Sequence, residues 1–122
     1  MRMWSTPVKM MCNQHLLGEH VEMHMFVGSI NKGISIKGYV DKGLVDTSKI
    51  RDRHNELAFE MIMRGIGHNS DLPFFKIEDM GKVNVEENIN ILINRCTKCK
   101  ELYFKLLKNS DKNTHMINHN NI

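Results

Sequence analysis

Seven residues, Val85, Ile89, Leu92, Cys96, Cys99, Tyr103 and Leu106, follow one another at spacings of four and three. That alternation sets them on one stripe of a helix, a packing seam that needs other apolar helix faces against it. Asn84 with Glu87 three residues on is close to a capping box and marks the start of this helix. A second stripe is formed by Ile50, Leu57, Ala58, Met61 and Ile62, between a start near Asp46-Thr47-Ser48 and a stop at Gly65. A third helix is signalled at the front of the chain, where Thr6 can cap, Pro7 suits the first helical position and Gly28 can end it. No stretch carries a convincing strand pattern. The reading is all-α: a compact three-helix single domain.

Between the first two helices, Lys32-Gly33, Lys37-Gly38 and Lys42-Gly43 recur every five residues. Glycine at that density breaks regular structure, so residues 29–46 read as a basic, glycine-rich loop. It is either a plain surface connection or a phosphate-facing segment. Residues 65–83, with Gly65, Gly67, Pro73 and Gly81, read as loop too, with Phe74, Phe75 and Ile77 tucked onto the core. From Asn109 the chain is polar and asparagine-rich, which divides it into a helical domain, 1–108, and a flexible tail, 109–122.

The length of 122 residues fits one domain that needs no staples. No run approaches the ~18 apolar residues of a membrane span, and the front of the chain lacks a signal-peptide pattern. Cys12, Cys96 and Cys99 are an odd number without a disulfide framework, so a reducing cytoplasm is expected. Residues 31–53 carry six Lys/Arg against three Asp, and residues 91–122 carry six against two acids. Residues 54–90 carry three basic against seven acidic residues. Two basic segments flanking an acidic one can bind phosphates if they share a face, and are ordinary solvated surface if they do not.

Several residue groups can bear chemistry. Cys96-Thr97-Lys98-Cys99 is a C-x-x-C, but it lies on the helix seam without the strand of a redox motif, and zinc would need a second ligand pair. Two core cysteines is the preferred reading. His20 and His24 sit four apart with Glu22 between, which is not the H-E-x-x-H order of zinc proteases. His115 and His119 fall in the polar tail. No metal site and no cofactor are expected. More informative is the first helix itself. At about 100° per residue, His15, Glu19, Glu22 and Phe26 share a narrow stripe, with Gly18 beside it and His20 and His24 turned away. An imidazole and two carboxylates on one side make either a catalytic face or a hydrated polar one.

These residues carry a resemblance. Met1-Arg2, Gln14-His15-Leu16, Glu19, Glu22, Phe26 and Gly28 fall in the pattern of the pyrimidine-dimer DNA glycosylase/AP lyases, without a gap over residues 1–28. Glu56-Leu57 through Arg64-Gly65 resembles the second helix of that family. The likeness covers roughly the first 70 residues. It implies a compact helical fold, damaged double-stranded DNA as partner, a monomer, and a nucleophile at the first α-amino group, here that of Met1. Arg2, too large for removal of the initiator methionine, keeps that amine in register. Such an amine suits the task, because α-amino groups titrate near 7.7–8.0 while lysines titrate near 10.4. The resemblance makes Glu22 the catalytic carboxylate, assigns Arg2, Gln14, His15 and Glu19 to holding substrate or DNA, and suggests backbone contacts from Lys32, Lys37 and Lys42, with Arg51 and Arg53 beside them.

The departures concern lesion reading. Val21 and Met25 stand where dimer-recognising relatives carry arginines, and residues 113–118 lack the family's aromatic, basic C-terminal segment. A cyclobutane pyrimidine dimer is therefore the default substrate, with another damaged base open. The alternatives are a non-catalytic DNA-binding module on the same scaffold and a metal-dependent hydrolase using His20 and His24.

Overall fold

The computed structural model describes the backbone of residues 1–120 and the side chains of residues 1–110. Among the described residues five α-helices follow in chain order: α1 Asn13–Asn31, α2 Lys37–Asp41, α3 Ile50–Met63, α4 Val85–Arg95 and α5 Thr97–Asn120. Short 3₁₀ turns, Val8–Met10 and Thr47–Lys49, precede α1 and α3. There is no strand among the described residues, and no described helix is long and apolar enough to cross a membrane. The fold class is all-α as the sequence indicates, but the expected three helices are five.

Each departure has a local cause. The first helix starts at Asn13 rather than Pro7, because Met11 is extended (φ −83°, ψ 130°) and separates the 3₁₀ turn from α1. Met10, Met11 and Cys12 thereby all turn inward. Thr6 caps nothing; its hydroxyl is buried without a partner. Gly28 lies inside α1, which ends only where Gly33 takes φ 72°. The Ile34 amide then closes back on the Ser29 carbonyl at 2.9 Å, the helix-ending bond that a left-handed residue allows. Gly43, at φ 70°, ends α2 in the same way, with Leu44 N–H on the Tyr39 carbonyl at 2.9 Å. Two of the three Lys-Gly units thus end helices, the middle one, Lys37-Gly38, lies inside α2, and the expected basic loop contains a helix.

The third expected helix is two, because Cys96 is extended (φ −130°, ψ 112°) and breaks the seam. Asn84 caps α4 by accepting from the Glu87 N–H at 3.0 Å. α5 carries helical backbone into the segment read as a tail; the side chains of that segment from residue 111 onward, His115 and His119 among them, lie outside the described residues. Residues 65–83 are without helix or strand beyond the end of α3, as read. Phe75 and Ile77 pack on the core, but Phe74 is exposed.

α1 is the central element. It packs on α3 and buries Leu16, Met23, Phe26 and Val27 together with the polar Glu19 and His20. Ile50, Leu57 and Met61 of α3 and Leu92 of α4 complete the core around Met3, Met10 and Met11. Methionine fills irregular space without strain, which suits a core built partly from a threaded N-terminal segment.

Candidate active site at the chain start

The first five residues run along α1, and two carboxylates of α1 hold them. Met3 N–H bonds the Leu44 carbonyl at 2.7 Å and its side chain is fully buried. Trp4 and Ser5 both donate their backbone N–H groups to Glu19 Oε2, at 3.1 and 3.4 Å. Ser5 takes φ 55° to do this, a left-handed conformation that costs a non-glycine residue about 1–2 kcal/mol. Such strain persists only where the surroundings over-determine it. Here the turn makes two successive amides converge on one carboxylate oxygen.

Glu19 is in turn fixed from α3. Arg53 Nε and Nη2 approach its two oxygens at 2.7 and 2.8 Å, and the same guanidinium bonds Glu56 and the Met11 sulfur. Glu19 and Arg53 are both buried. Glu19 therefore faces no solvent and binds the backbone of the chain start. Arg53 is likewise unavailable to phosphates.

One helical turn further on, Arg2 N–H donates to Glu22 Oε2 at 3.2 Å. The first peptide bond is thereby tied to this carboxylate. Burial pushes the Glu22 carboxyl above its ordinary value; the Arg2 N–H and the charge of the chain terminus pull the other way, and Glu19 adds to the rise. Met1, Arg2 and Glu22 are half-buried, so the group borders solvent. Arg2 lies over the Trp4 ring at 4.7 Å, and Arg95 from the end of α4 over the same ring at 5.7 Å. Two cations flanking one indole make this rim positive.

The other expected residues are dispersed. Gln14 is exposed and lines a concavity of about 760 Å³ with Lys9, Arg64, Lys98 and Lys105. His15 turns its Nδ1 to the sulfurs of Cys12, at 3.2 Å, and Cys99, at 3.6 Å. Lys32, Lys37 and Lys42 are exposed, with Lys37 paired to Asp41 at 2.7 Å. Arg51 donates to the Pro73 carbonyl at 3.0 Å and lies over Phe75. Val21 and Met25 are exposed apolar residues of α1.

Two further clusters border α1. Cys12, His15, Cys96 and Cys99 bring their ligand atoms within 4.8 Å of one another, and so do His20, His24, His54 and His68. Burial, followed by the charges of His54, His24 and His68, lowers His20 to about 4. Sequence reasoning left out Trp4, the positioning role of Arg53, and Cys12, His54 and His68. One signal was present: Cys12 and His15 repeat the three-residue spacing of Cys96 and Cys99.

The helical scaffold thus anchors its own first residues on two carboxylates of one helix. The family model of pyrimidine dimer DNA glycosylases matches residues 1–74, and the chain belongs to that family. No curated protein and no solved structure matches the chain significantly.

Proposed function

We propose that the chain is a DNA glycosylase with AP lyase activity, excising a damaged pyrimidine and nicking the resulting site through the amine of Met1. The observation that carries this reading is the Arg2 N–H bond to Glu22. It holds the start of the chain against a half-buried carboxylate, on the part of the molecule that belongs to a DNA glycosylase family.

In the proposed reaction the unprotonated amine attacks the sugar C1′. The N–C1′ bond forms as the bond to the base breaks, and the base leaves with a proton from solvent. The ring opens to an iminium, a covalent intermediate that divides one hard step into two. Glu22 stabilises the positive charge on the sugar and then takes the C2′ proton. The C3′–O bond breaks with the strand phosphate as leaving group, and water releases the amine. Arg2 and Arg95, which lie over the buried Trp4 ring, give the site a cationic rim for an opened nucleotide, whose extrusion costs a few kcal/mol. Gln14, Lys32 and Lys42 supply sequence-independent contacts to DNA, with binding that falls as salt rises. A cyclobutane dimer is the default lesion. With Val21 and Met25 in place of arginines, contacts to it are apolar.

Borohydride trapping tests this on two duplexes, one with an abasic site and one with a pyrimidine dimer. A covalent adduct and a nick are expected on both. Glu22→Gln should lower the rate by about 10²–10⁴-fold, the usual worth of a positioned acid–base group. One extra residue ahead of Met1 should abolish trapping. Salt-sensitive binding with no adduct on either duplex would leave a DNA-binding module only, and efficient nicking by the extended chain would refute the amine.

A further inference from the structure

The two halves of the sulfur cluster are built alike. Cys12 is the extended residue preceding α1 (φ −68°, ψ 162°), and His15 lies in the first turn of that helix. Cys96 is the extended residue preceding α5, and Cys99 lies in its first turn. Each pair thus offers one ligand from a helix-start residue and one from the turn above it. Cys12 and Cys96 sulfurs are 3.9 Å apart, and His15 Nδ1 lies 3.2 Å from Cys12 and 3.6 Å from Cys99. Tetrahedral zinc, with Zn–S about 2.3 Å and Zn–N about 2.05 Å, sets these edges at about 3.8 Å between sulfurs and 3.6 Å between sulfur and nitrogen. Backbone amides already face the sulfurs. The Cys12 N–H donates to Cys99 Sγ at 3.2 Å, and Lys98 and Cys99 amides bond Cys96. Such bonds satisfy thiolates in the outer shell of a metal site.

We propose that Cys12, His15, Cys96 and Cys99 form a closed structural zinc site that clamps α5 to the start of α1. Cys96 and Cys99 lie beyond the residues matched by the glycosylase family. The clamp fastens that additional C-terminal helix to the helix carrying Glu19 and Glu22. On binding, the three thiols give their protons to solvent and the imidazole contributes Nδ1 as a lone-pair donor. All four tetrahedral positions are filled by protein, so the ion takes no part in the reaction.

A different observation carries a second site. His54 Nε2 lies 3.1 Å from Nε2 of both His20 and His24, and His68 Nε2 is buried without a hydrogen-bond partner. His54 directs its other ring nitrogen to Asn55 Oδ1 at 3.0 Å, and a hydrogen bond with the Ser70 backbone engages His24. Outer-shell bonds of this kind leave the inward nitrogens as lone pairs. A tetrahedral four-nitrogen site has N···N edges of about 3.3 Å at a Zn–N distance of about 2.05 Å. The geometry points to a second structural zinc, joining α1, α3 and the segment after α3. With four imidazoles it too lacks the open position that a metal hydrolase needs.

Metal analysis and cobalt substitution of the full chain test both sites. Wild type grown with zinc should hold about two ions, and the Cys96→Ser/Cys99→Ser variant about one. Cobalt should give an intense thiolate charge-transfer band in wild type, lost in the cysteine variant and kept in His54→Ala. Should a variant fail to fold, reduced wild-type chain stripped of metal serves instead. Zinc should then protect three thiols from Ellman's reagent. The first cobalt equivalents should bring the thiolate band and later ones tetrahedral d–d absorption alone. Thiols that stay reactive in saturating zinc, with no thiolate band, overturn the first site. Binding that saturates at one equivalent, all of it thiolate-ligated, overturns the second. Neither readout depends on DNA cleavage, so loss of the glycosylase reading leaves these results standing.

Discussion

Replacing Arg53 with methionine should cost this protein a large part of its stability and displace its chain start. The substitution keeps the bulk of the side-chain stem and removes the guanidinium. Glu19, 1% exposed, then loses two charge-assisted bonds, at 2.7 and 2.8 Å. Each such bond contributes about 1.5–3 kcal/mol, and breaking a buried pair from one side typically costs about 3–5 kcal/mol. Out of the ~5–15 kcal/mol that holds a domain together, that is a severe loss. The remaining partners of Glu19, the amides of Trp4 and Ser5, cannot neutralise a full charge. Urea unfolding followed by circular dichroism, at fixed zinc, should show the midpoint falling with an unchanged slope. The double variant Glu19→Gln/Arg53→Met should recover much of the loss, because no charge is left buried. Borohydride trapping should fall in both, since Glu19 orients the residues ahead of Ser5. A loss under about 1 kcal/mol for Arg53→Met would refute the reasoning, because it would mean that water reaches and solvates Glu19.

Two further expectations concern stability. Glu60 is buried, which by itself would raise its carboxyl, but hydrogen bonds and charge from Lys9 and Arg64 hold it below the ordinary value. Its contribution is therefore full above the unfolded carboxylate range, near pH 4.3, and is lost as the pH falls through the lowered folded value. Glu60→Gln should flatten that acid limb of the stability profile; an unchanged slope in denaturation at stepped pH would contradict it. Asn84→Ala removes the cap on the Glu87 amide and should cost about 1 kcal/mol by urea titration, with no effect on the rate of trapping.

Three helical segments were legible in the chain, but α2 was read as loop and α4 and α5 as one helix. The stripes on α3 and α4 and the Asn84 cap are periodic features, and periodicity survives whatever the helix packs against. The shared side of His15, Glu19 and Glu22 on α1 followed from the same arithmetic, but not their separate partners, the sulfurs for His15, Arg53 for Glu19 and the Arg2 amide for Glu22. Helix ends were less legible. Whether Gly28 or Gly33 ends α1 depends on which of them adopts a positive φ, and either glycine could. The break at Cys96 was invisible because an extended residue inside an unbroken apolar seam leaves no mark on the spacing.

The sequence alone determined that this protein would be helical, that its first helix would carry two acids on one side, and that its opening residues resemble those of a glycosylase. Tertiary structure decided what surrounds each acid. Glu19 and Glu22 are the same residue type one turn apart, and they differ only in what packs on them: Arg53 from α3 closes over one, while the other stays at the rim beside the terminus. Partners from distant segments also join His20 and His24 to His54 and His68, and Cys12 and His15 to Cys96 and Cys99. Spacing along a chain fixes neighbours on one helix; only packing brings ligand atoms from separate helices together.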